Sequence, residues 1–114
     1  MYIYTKLRQD GRFITYEPSK TKWTYEQLKN QVNGMVEIIP KNYYPIGMNG
    51  TVYGNEEARF NSDNTRNQCM LVIKDDLYGD EWDTVGDLLL EQTEKQYEKW
   101  YGQLAETARI LMHS

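Results

Sequence analysis

The pattern of hydrophobic and polar residues predicts a β-hairpin at the start of the chain. Two segments rich in aromatic and β-branched residues, Tyr2 to Arg8 and Arg12 to Glu17, flank the dipeptide Asp10-Gly11, which favours a tight turn. Because side chains alternate along a strand, the even-numbered residues of the first segment share one face and the odd-numbered residues share the other. The chain therefore opens with two paired strands.

Two helices are predicted, the first from a capping pattern and the second from a helical repeat. Thr24 with Gln27 three residues later matches a capping box and predicts a helix from about residue 24 to residue 33, ending at Gly34. From Thr93 onward apolar residues recur every three or four positions, which predicts a long amphipathic helix from about residue 92 to residue 112. Its apolar stripe packs on the domain's own core or against a second copy, so a homodimer through this helix is one expectation.

Short apolar runs between these helices predict the remaining strands. Met35 to Ile39 and Thr51 to Tyr53 favour strand, and Gly54-Asn55 is expected to turn the chain after the second of them. Val85 to Leu90 and Cys69 to Ile73 each fit a strand or a helix, because periodicity does not distinguish the two over so few residues. The pattern predicts an α+β fold with a small mixed β-sheet, since parallel pairing needs the crossovers that helices provide.

Composition limits the class of protein. A chain of 114 residues forms a single domain, residues 1–114. It has ten tyrosines and one cysteine, so the core is partly aromatic and no intramolecular disulfide or multi-thiolate zinc site forms. No apolar run approaches the roughly 20 residues that span a bilayer, and the first residues lack the layout of a signal peptide. We therefore expect a cytoplasmic protein without a membrane association.

Charge is distributed unevenly along the chain. Residues 1–50 contain seven Lys or Arg and four Asp or Glu, a net charge of +3, whereas residues 51–114 contain six and thirteen, a net charge of −7. Seven acidic residues and no basic ones fall between residues 75 and 91. This acidic run argues against direct nucleic-acid binding, since phosphate contacts need Lys and Arg, and favours a basic protein partner instead.

The residues that carry chemistry are few. The single histidine, His113, lies beside the last residue, where chain ends fray, and Cys69 is more typical of a small core hydrophobe than of a nucleophile. Asp76, Asp80 and Asp83 offer carboxylates for a weak divalent-ion site, but the run fails the pattern of a calcium loop. A solvated acidic loop is the preferred interpretation. The sequence thus predicts a non-enzymatic protein without a cofactor or a metal.

Four segments resemble a known family. They are Gly34 to Pro40, Val52 to Glu57, Asn64-Thr-Arg66 and Asp83 to Asp87. In this order they resemble the domain of unknown function 3846 family, whose members are small proteins or modules found mostly in phages, large viruses and mobile elements and have no assigned activity. The resemblance covers about residues 24 to 90. It implies a strand around Val85 to Leu90, a helix from about Asn64 to Leu71 and a viral or mobile-element origin.

The polar residues most specific to that resemblance have two interpretations. As structural residues, Asn64 caps the following helix and Arg66 pairs with a nearby carboxylate. As functional residues, Glu56, Asn64 and Arg66 line a pocket for a small polar ligand, in which the arginine binds phosphate or carboxylate. The structural interpretation is preferred, because capping and turn roles explain each residue without a ligand.

Three functions are compatible with these patterns. The first is a viral or phage accessory protein that binds and modulates a host protein, for example by inhibiting a defence system, through an acidic-aromatic surface. That surface consists of Asp75, Asp76, Tyr78, Asp80, Glu81, Trp82 and Asp83. The second is a protein that binds or sequesters a nucleotide-like ligand at Glu56, Asn64 and Arg66. The third is a metal-dependent enzyme on the acidic run.

Overall fold

The described part of the chain forms a five-stranded antiparallel sheet with helices on both faces. The computed structural model describes residues 1–44, 47–61, 63–70 and 84–102. The strands are β1 (Tyr2–Leu7), β2 (Phe13–Thr15), β3 (Val36–Ile38), β4 (Thr51–Asn55) and β5 (Leu88–Thr93). The helices are α1 (Tyr25–Val32), α2 (residues 68–70) and α3 (residues 94–102), and two 3₁₀ turns cover Lys41–Tyr43 and Ala58–Phe60. The predicted α+β class is confirmed.

The strand order is β2-β1-β5-β4-β3, and every neighbouring pair is antiparallel. The predicted mixed sheet is therefore wrong. That prediction treated the helices as crossovers between neighbouring parallel strands. In the structure α1 instead connects β2 at one edge of the sheet to β3 at the opposite edge, so it joins strands that are not neighbours.

Strand β5 occupies the centre of the sheet and contains most of the apolar run from Val85 to Leu90, for which the sequence fitted either a strand or a helix. It begins at Leu88 rather than at Val85, and it is a strand rather than a helix. Leu88 and Leu90 pack on one face and Leu89 on the other, so three consecutive leucines are buried. A central strand covered on both faces needs apolar residues at successive positions, which is why alternation is lost there.

The turn between β1 and β2 lies at the predicted dipeptide. Gly11 has a φ of +95°, its N–H donates to the Arg8 carbonyl, and the Arg8 N–H donates to the Arg12 carbonyl. A residue with a Cβ is strained at that φ, so glycine suits this position. Cys69 lies under the same turn, where its thiol donates to the Arg8 and Arg12 carbonyls and burial raises its pKa to about 12. The prediction of a core cysteine is confirmed.

Helix α1 begins and ends much as its sequence predicts. Thr24 caps the first turn, and the Thr24 and Gln27 side chains form both hydrogen bonds of a capping box. The chain leaves the helix through Asn33, which takes the left-handed conformation with a φ of 61°, one residue before the predicted glycine. A Cβ on Gly34 would lie 2.5 Å from the Asn55 amide nitrogen, so the glycine permits close approach of the helix end to β4.

The last helix also begins with a capping box. The Thr93 hydroxyl accepts from the Gln96 N–H, and the Gln96 side chain accepts from the Thr93 N–H. Residues 94–102 are helical, and the rest of the predicted helix lies outside the described residues. Trp100 of its apolar stripe is buried in the same core as Leu88 and Leu90. This part of the stripe therefore packs on its own sheet, whereas Tyr101 is exposed.

Two local predictions between β4 and β5 are wrong. Gly54-Asn55 does not turn the chain, because β4 continues through Asn55 and its residues 53–55 pair with β3. The helix implied from about Asn64 begins only at residue 68, since Arg66 forms a β-bridge with Val85. The residue that caps α2 is Asn67, whose side-chain oxygen accepts from the Met70 N–H.

The sheet separates two hydrophobic clusters. On the α1 face, Tyr4, Leu28, Val32 and Leu89 are buried together. On the other face, α2 and α3 cover the larger cluster, which contains Leu7, Ile39, Met48, Val52, Cys69, Met70, Leu88, Leu90 and Trp100. Tyr4 and Leu7 lie on opposite faces of β1, as alternation predicts. None of the described helices combines the length and apolar character needed to cross a membrane.

Candidate functional site

A cleft of about 360 Å³ lies on the side of β3 and β4 that faces away from α1. Its floor is apolar and is formed by Ile39, Gly54, Ala58 and Leu88, all of them buried. Among the described residues, the rim carries three charged side chains, those of Glu37, Glu56 and Arg59. A concave apolar surface with a few polar groups at its edge is the usual form of a ligand site.

The depth of the cleft depends on Gly54 in the middle of β4. A Cβ at this position would lie 3.0 Å from Leu88 Cδ2 and 3.1 Å from Ile39 Cδ1, so a larger residue would press on the floor. Glycine weakens a strand interior and usually marks a bulge or a close approach. Here it leaves the floor without a side chain while β4 keeps its pairing with β3.

The charges at the rim are unbalanced in favour of the carboxylates. Burial raises the pKa of Glu37, the negative charge of Glu56 raises it further, and the Arg59 guanidinium lowers it. The two carboxylates are therefore close enough to repel each other, although both residues are exposed and solvent screens the repulsion. A positively charged group bound between them would relieve this repulsion.

The three predicted ligand residues all lie around this cleft, but only one of them lines it. Glu56 is at the rim. The Asn64 amide donates to the Ala58 carbonyl at 2.9 Å, so it holds a floor residue in place rather than capping a helix. Arg66 pairs through its backbone with Val85, which forms part of the wall. The proposed roles of Asn64 and Arg66 in binding stay predictions.

The acidic run is only partly available as a surface. Asp75, Asp76, Tyr78, Asp80, Glu81, Trp82 and Asp83 lie outside the described residues. Asp87 accepts from the Gln9 N–H at 2.8 Å and pairs with Lys6 at 3.8 Å. Glu91 is buried in the sheet. Two of the seven acidic residues between residues 75 and 91 thus make contacts inside the domain.

Glu91 is the centre of a polar cluster that sequence reasoning missed. Its carboxylate accepts from the Tyr4 hydroxyl at 2.7 Å and from the Tyr53 hydroxyl at 3.3 Å, and Lys22 Nζ lies 3.9 Å away. The Tyr4 hydroxyl in turn accepts from the Trp23 N–H, and the two rings stack at 4.0 Å. The sequence signal that could have indicated a buried carboxylate is that Glu91 directly follows three consecutive leucines.

Burial and the nearby carboxylate change the acidity of both phenols. Burial is the largest cause of the raised pKa of Tyr4, and its hydrogen bond to Glu91 adds to it. Burial, followed by the charge of Glu91, raises the pKa of Tyr53 to about 12. Both tyrosines are therefore neutral hydrogen-bond donors at neutral pH. The cluster joins β1, β4 and β5 and is closed over by Trp23, so we assign it a structural role.

No group of three His, Cys, Asp or Glu side chains within the described ranges is placed to hold a metal ion. The earlier candidates Asp76, Asp80 and Asp83 lie outside those ranges. Comparison with known proteins finds no match among family models, curated proteins or solved structures. The resemblance described for residues 24 to 90 therefore depends on those residues alone and stays a prediction.

We predict that the protein loses stability in alkaline solution as Tyr53 becomes ionised. A raised pKa in the folded state stabilises the fold below the unfolded value of 10.0, and this stabilisation is lost as pH rises towards about 12. Urea unfolding at increasing pH, with phenolate absorbance recorded in parallel, measures the effect. Tyr53→Phe should reduce the slope of the pH dependence, and Tyr4 and Cys69, whose pKa values are also raised, should supply the slope that remains. Tyr25→Phe, on an exposed side chain, should leave the slope unchanged. Equal slopes in wild type and Tyr53→Phe would contradict the assignment.

Proposed function

We propose that this protein is a non-enzymatic binding protein and that the cleft over Gly54 is its recognition site. The observation that supports this proposal is the pair of carboxylates, Glu37 and Glu56, at the rim of an apolar cleft. Such a site suits a ligand that carries a positive charge on an apolar stem. The stem covers the floor formed by Ile39 and Leu88, and the cation lies between the carboxylates.

The expected affinity for a minimal ligand is low. Burying a methylene group contributes about 0.8 kcal/mol, and a partly exposed ion pair contributes about 0.2 to 1 kcal/mol. A four-carbon stem that is mostly buried therefore gives a dissociation constant on the order of 1 mM. The apolar contact supplies most of the binding free energy, and the carboxylates supply the selectivity for a cation.

We predict that N-butylguanidinium binds in this cleft and that its neutral isostere, N-butylurea, binds more weakly. Titration followed by NMR should shift the amide signals of Gly54, Glu56 and Leu88 most strongly. Glu37→Gln should weaken binding roughly threefold, because it removes one partly exposed charge. Glu17→Gln, an exposed carboxylate on the connector after β2, is the matched control and should bind as wild type does.

Pentanoate, which has the same stem and a negative charge, provides the opposite test. The proposal requires that it binds more weakly than N-butylguanidinium. Equal or tighter binding of pentanoate would contradict the proposal, as would signal shifts that are strongest away from the cleft. An anion preference would instead favour the nucleotide-like ligand expected at Asn64 and Arg66.

A second candidate function is the capture of a basic host protein by the acidic-aromatic surface. The concentration of acidic residues in the sequence supports it: five of them, from Asp75 to Asp83, remain after Asp87 and Glu91 are assigned contacts within the domain. The resemblance to phage and mobile-element proteins supplies the host and the cytoplasmic setting. A homodimer through the last helix stays a prediction beside it.

Charge reversal tests this second candidate. Replacing Asp80, Glu81 and Asp83 by lysine should abolish capture of a partner from host lysate, and capture by the wild type should weaken as salt rises. Glu17→Lys changes an exposed acid elsewhere and serves as the control. Salt-insensitive capture that survives the triple change would contradict this function and leave the cleft proposal unaffected.

A further inference from the structure

Strand β3 forms one edge of the described sheet, and its outer side presents backbone groups. The Met35 carbonyl accepts from the Glu56 N–H, and the Ile39 N–H donates to the Val52 carbonyl. Backbone groups alternate in direction along a strand, so Met35, Glu37 and Ile39 face β4. Val36 and Ile38 consequently direct their N–H and C=O groups outward.

This edge is short, at three residues, and Pro40 follows it closely, but the strand itself contains no lysine, proline or bulge. Proteins protect sheet edges with lysines, prolines or bulges. Here the two outward-directed residues are both β-branched, and the Ile38 side chain is 64% exposed. The Val36 N–H donates to the Tyr25 hydroxyl at 3.5 Å, so among the described residues the Val36 carbonyl and both backbone groups of Ile38 are the outward groups left for an added strand.

The cleft and the edge are adjacent through Glu37. Glu37 directs its backbone hydrogen-bonding groups towards β4, so it would form a non-hydrogen-bonded pair with the opposite residue of any strand added antiparallel to β3. In such a pair the two Cα atoms are about 4.5 Å apart and the side chains lie close together. A residue opposite Glu37 on an added strand would project on the cleft side, whereas its two neighbours would project beside Val36 and Ile38. The favoured pattern is therefore apolar, basic, apolar.

We propose that the ligand of this site is an extended segment of a partner protein that adds to β3 as a sixth strand and places an arginine or lysine between Glu37 and Glu56. This inference rests on the proposed function of the cleft and names the class of partner. Main-chain hydrogen bonds to Ile38 and to the Val36 carbonyl supply affinity, and the basic side chain supplies specificity. The long stem of the basic residue covers the floor over Gly54.

Charge distinguishes this partner from a second copy of the chain. If two β3 strands paired antiparallel about their central residue, Glu37 would lie directly opposite Glu37. Like charges placed opposite each other across strands are destabilising, whereas an opposite-charge pair contributes roughly 0.2 to 1 kcal/mol. The edge therefore selects a basic strand over self-association.

Labelled peptides test the inference on the intact protein. The probe is the capped peptide Thr-Val-Arg-Val-Thr, and its binding is measured by fluorescence anisotropy. Replacing the central arginine by glutamate should weaken binding about tenfold or more, because it sets like charges together. N-methylation of the two valine amides should also weaken it about tenfold, because it removes the hydrogen bonds to β3 without changing charge.

Protein variants supply the complementary measurement. Ile38→Pro removes the outward N–H while leaving the bonds between β3 and β4, and should reduce peptide binding. Ile38→Val keeps the N–H and should bind as wild type does. Because the N-methylated peptide is tested on unchanged protein, a folding defect in Ile38→Pro does not affect the conclusion.

The outcomes separate this inference from the proposed function. Equal binding of the methylated and unmethylated peptides overturns the strand addition. Binding of N-butylguanidinium without binding of the arginine peptide also overturns it, and leaves the cleft as a small-cation site. Failure of both ligands overturns the strand addition and the proposed function together.

Discussion

The buried carboxylate of Glu91 is the interaction on which the rest of the structure depends. It lies on the central strand, where the three preceding residues are leucines, and it accepts from Tyr4 on β1 and from Tyr53 on β4. Removing one partner from such a cluster would leave a buried charge or phenol without a hydrogen bond, which costs about 1 to 3 kcal/mol. With all of its hydrogen bonds formed, the cluster fixes three adjacent strands. It also holds the connector before α1, because the Trp23 N–H donates to the Tyr4 hydroxyl.

The candidate site follows from how those strands are fixed. Tyr53 holds β4 on one face of the sheet, and the next residue, Gly54, opens the cleft on the other face. The same strand pairs with β3, so the position of Glu37 above the floor depends on it. An apolar floor, a carboxylate pair and an edge strand of the described sheet thus meet at one place. This combination is what supports recognition of a basic extended segment.

Local features of the fold were predictable from the sequence, because neighbouring residues determine them. Asp10-Gly11 makes the first turn, and the Thr24 capping box starts α1. Features that depend on distant contacts were not. Gly54 was predicted to be a turn residue, because glycine is common in turns. The structure shows a different reason for glycine at this position, which is the close approach of the Leu88 and Ile39 side chains. Glu91 was predicted to lie in an acidic run. The two tyrosines that donate hydrogen bonds to its buried carboxylate are distant in sequence, so the sequence pattern did not reveal them. Of the site, only Glu56 was anticipated among the lining residues.

The most direct measurement is a double-mutant cycle between Tyr4 and Glu91 in urea unfolding. Tyr4→Phe and Glu91→Gln should each lower the free energy of unfolding. If the hydrogen bond between them organises the sheet, the double variant should lose less than the sum of the single losses, by about 1 kcal/mol or more. Additive losses would show that the two side chains act independently, and would contradict the central position assigned to Glu91.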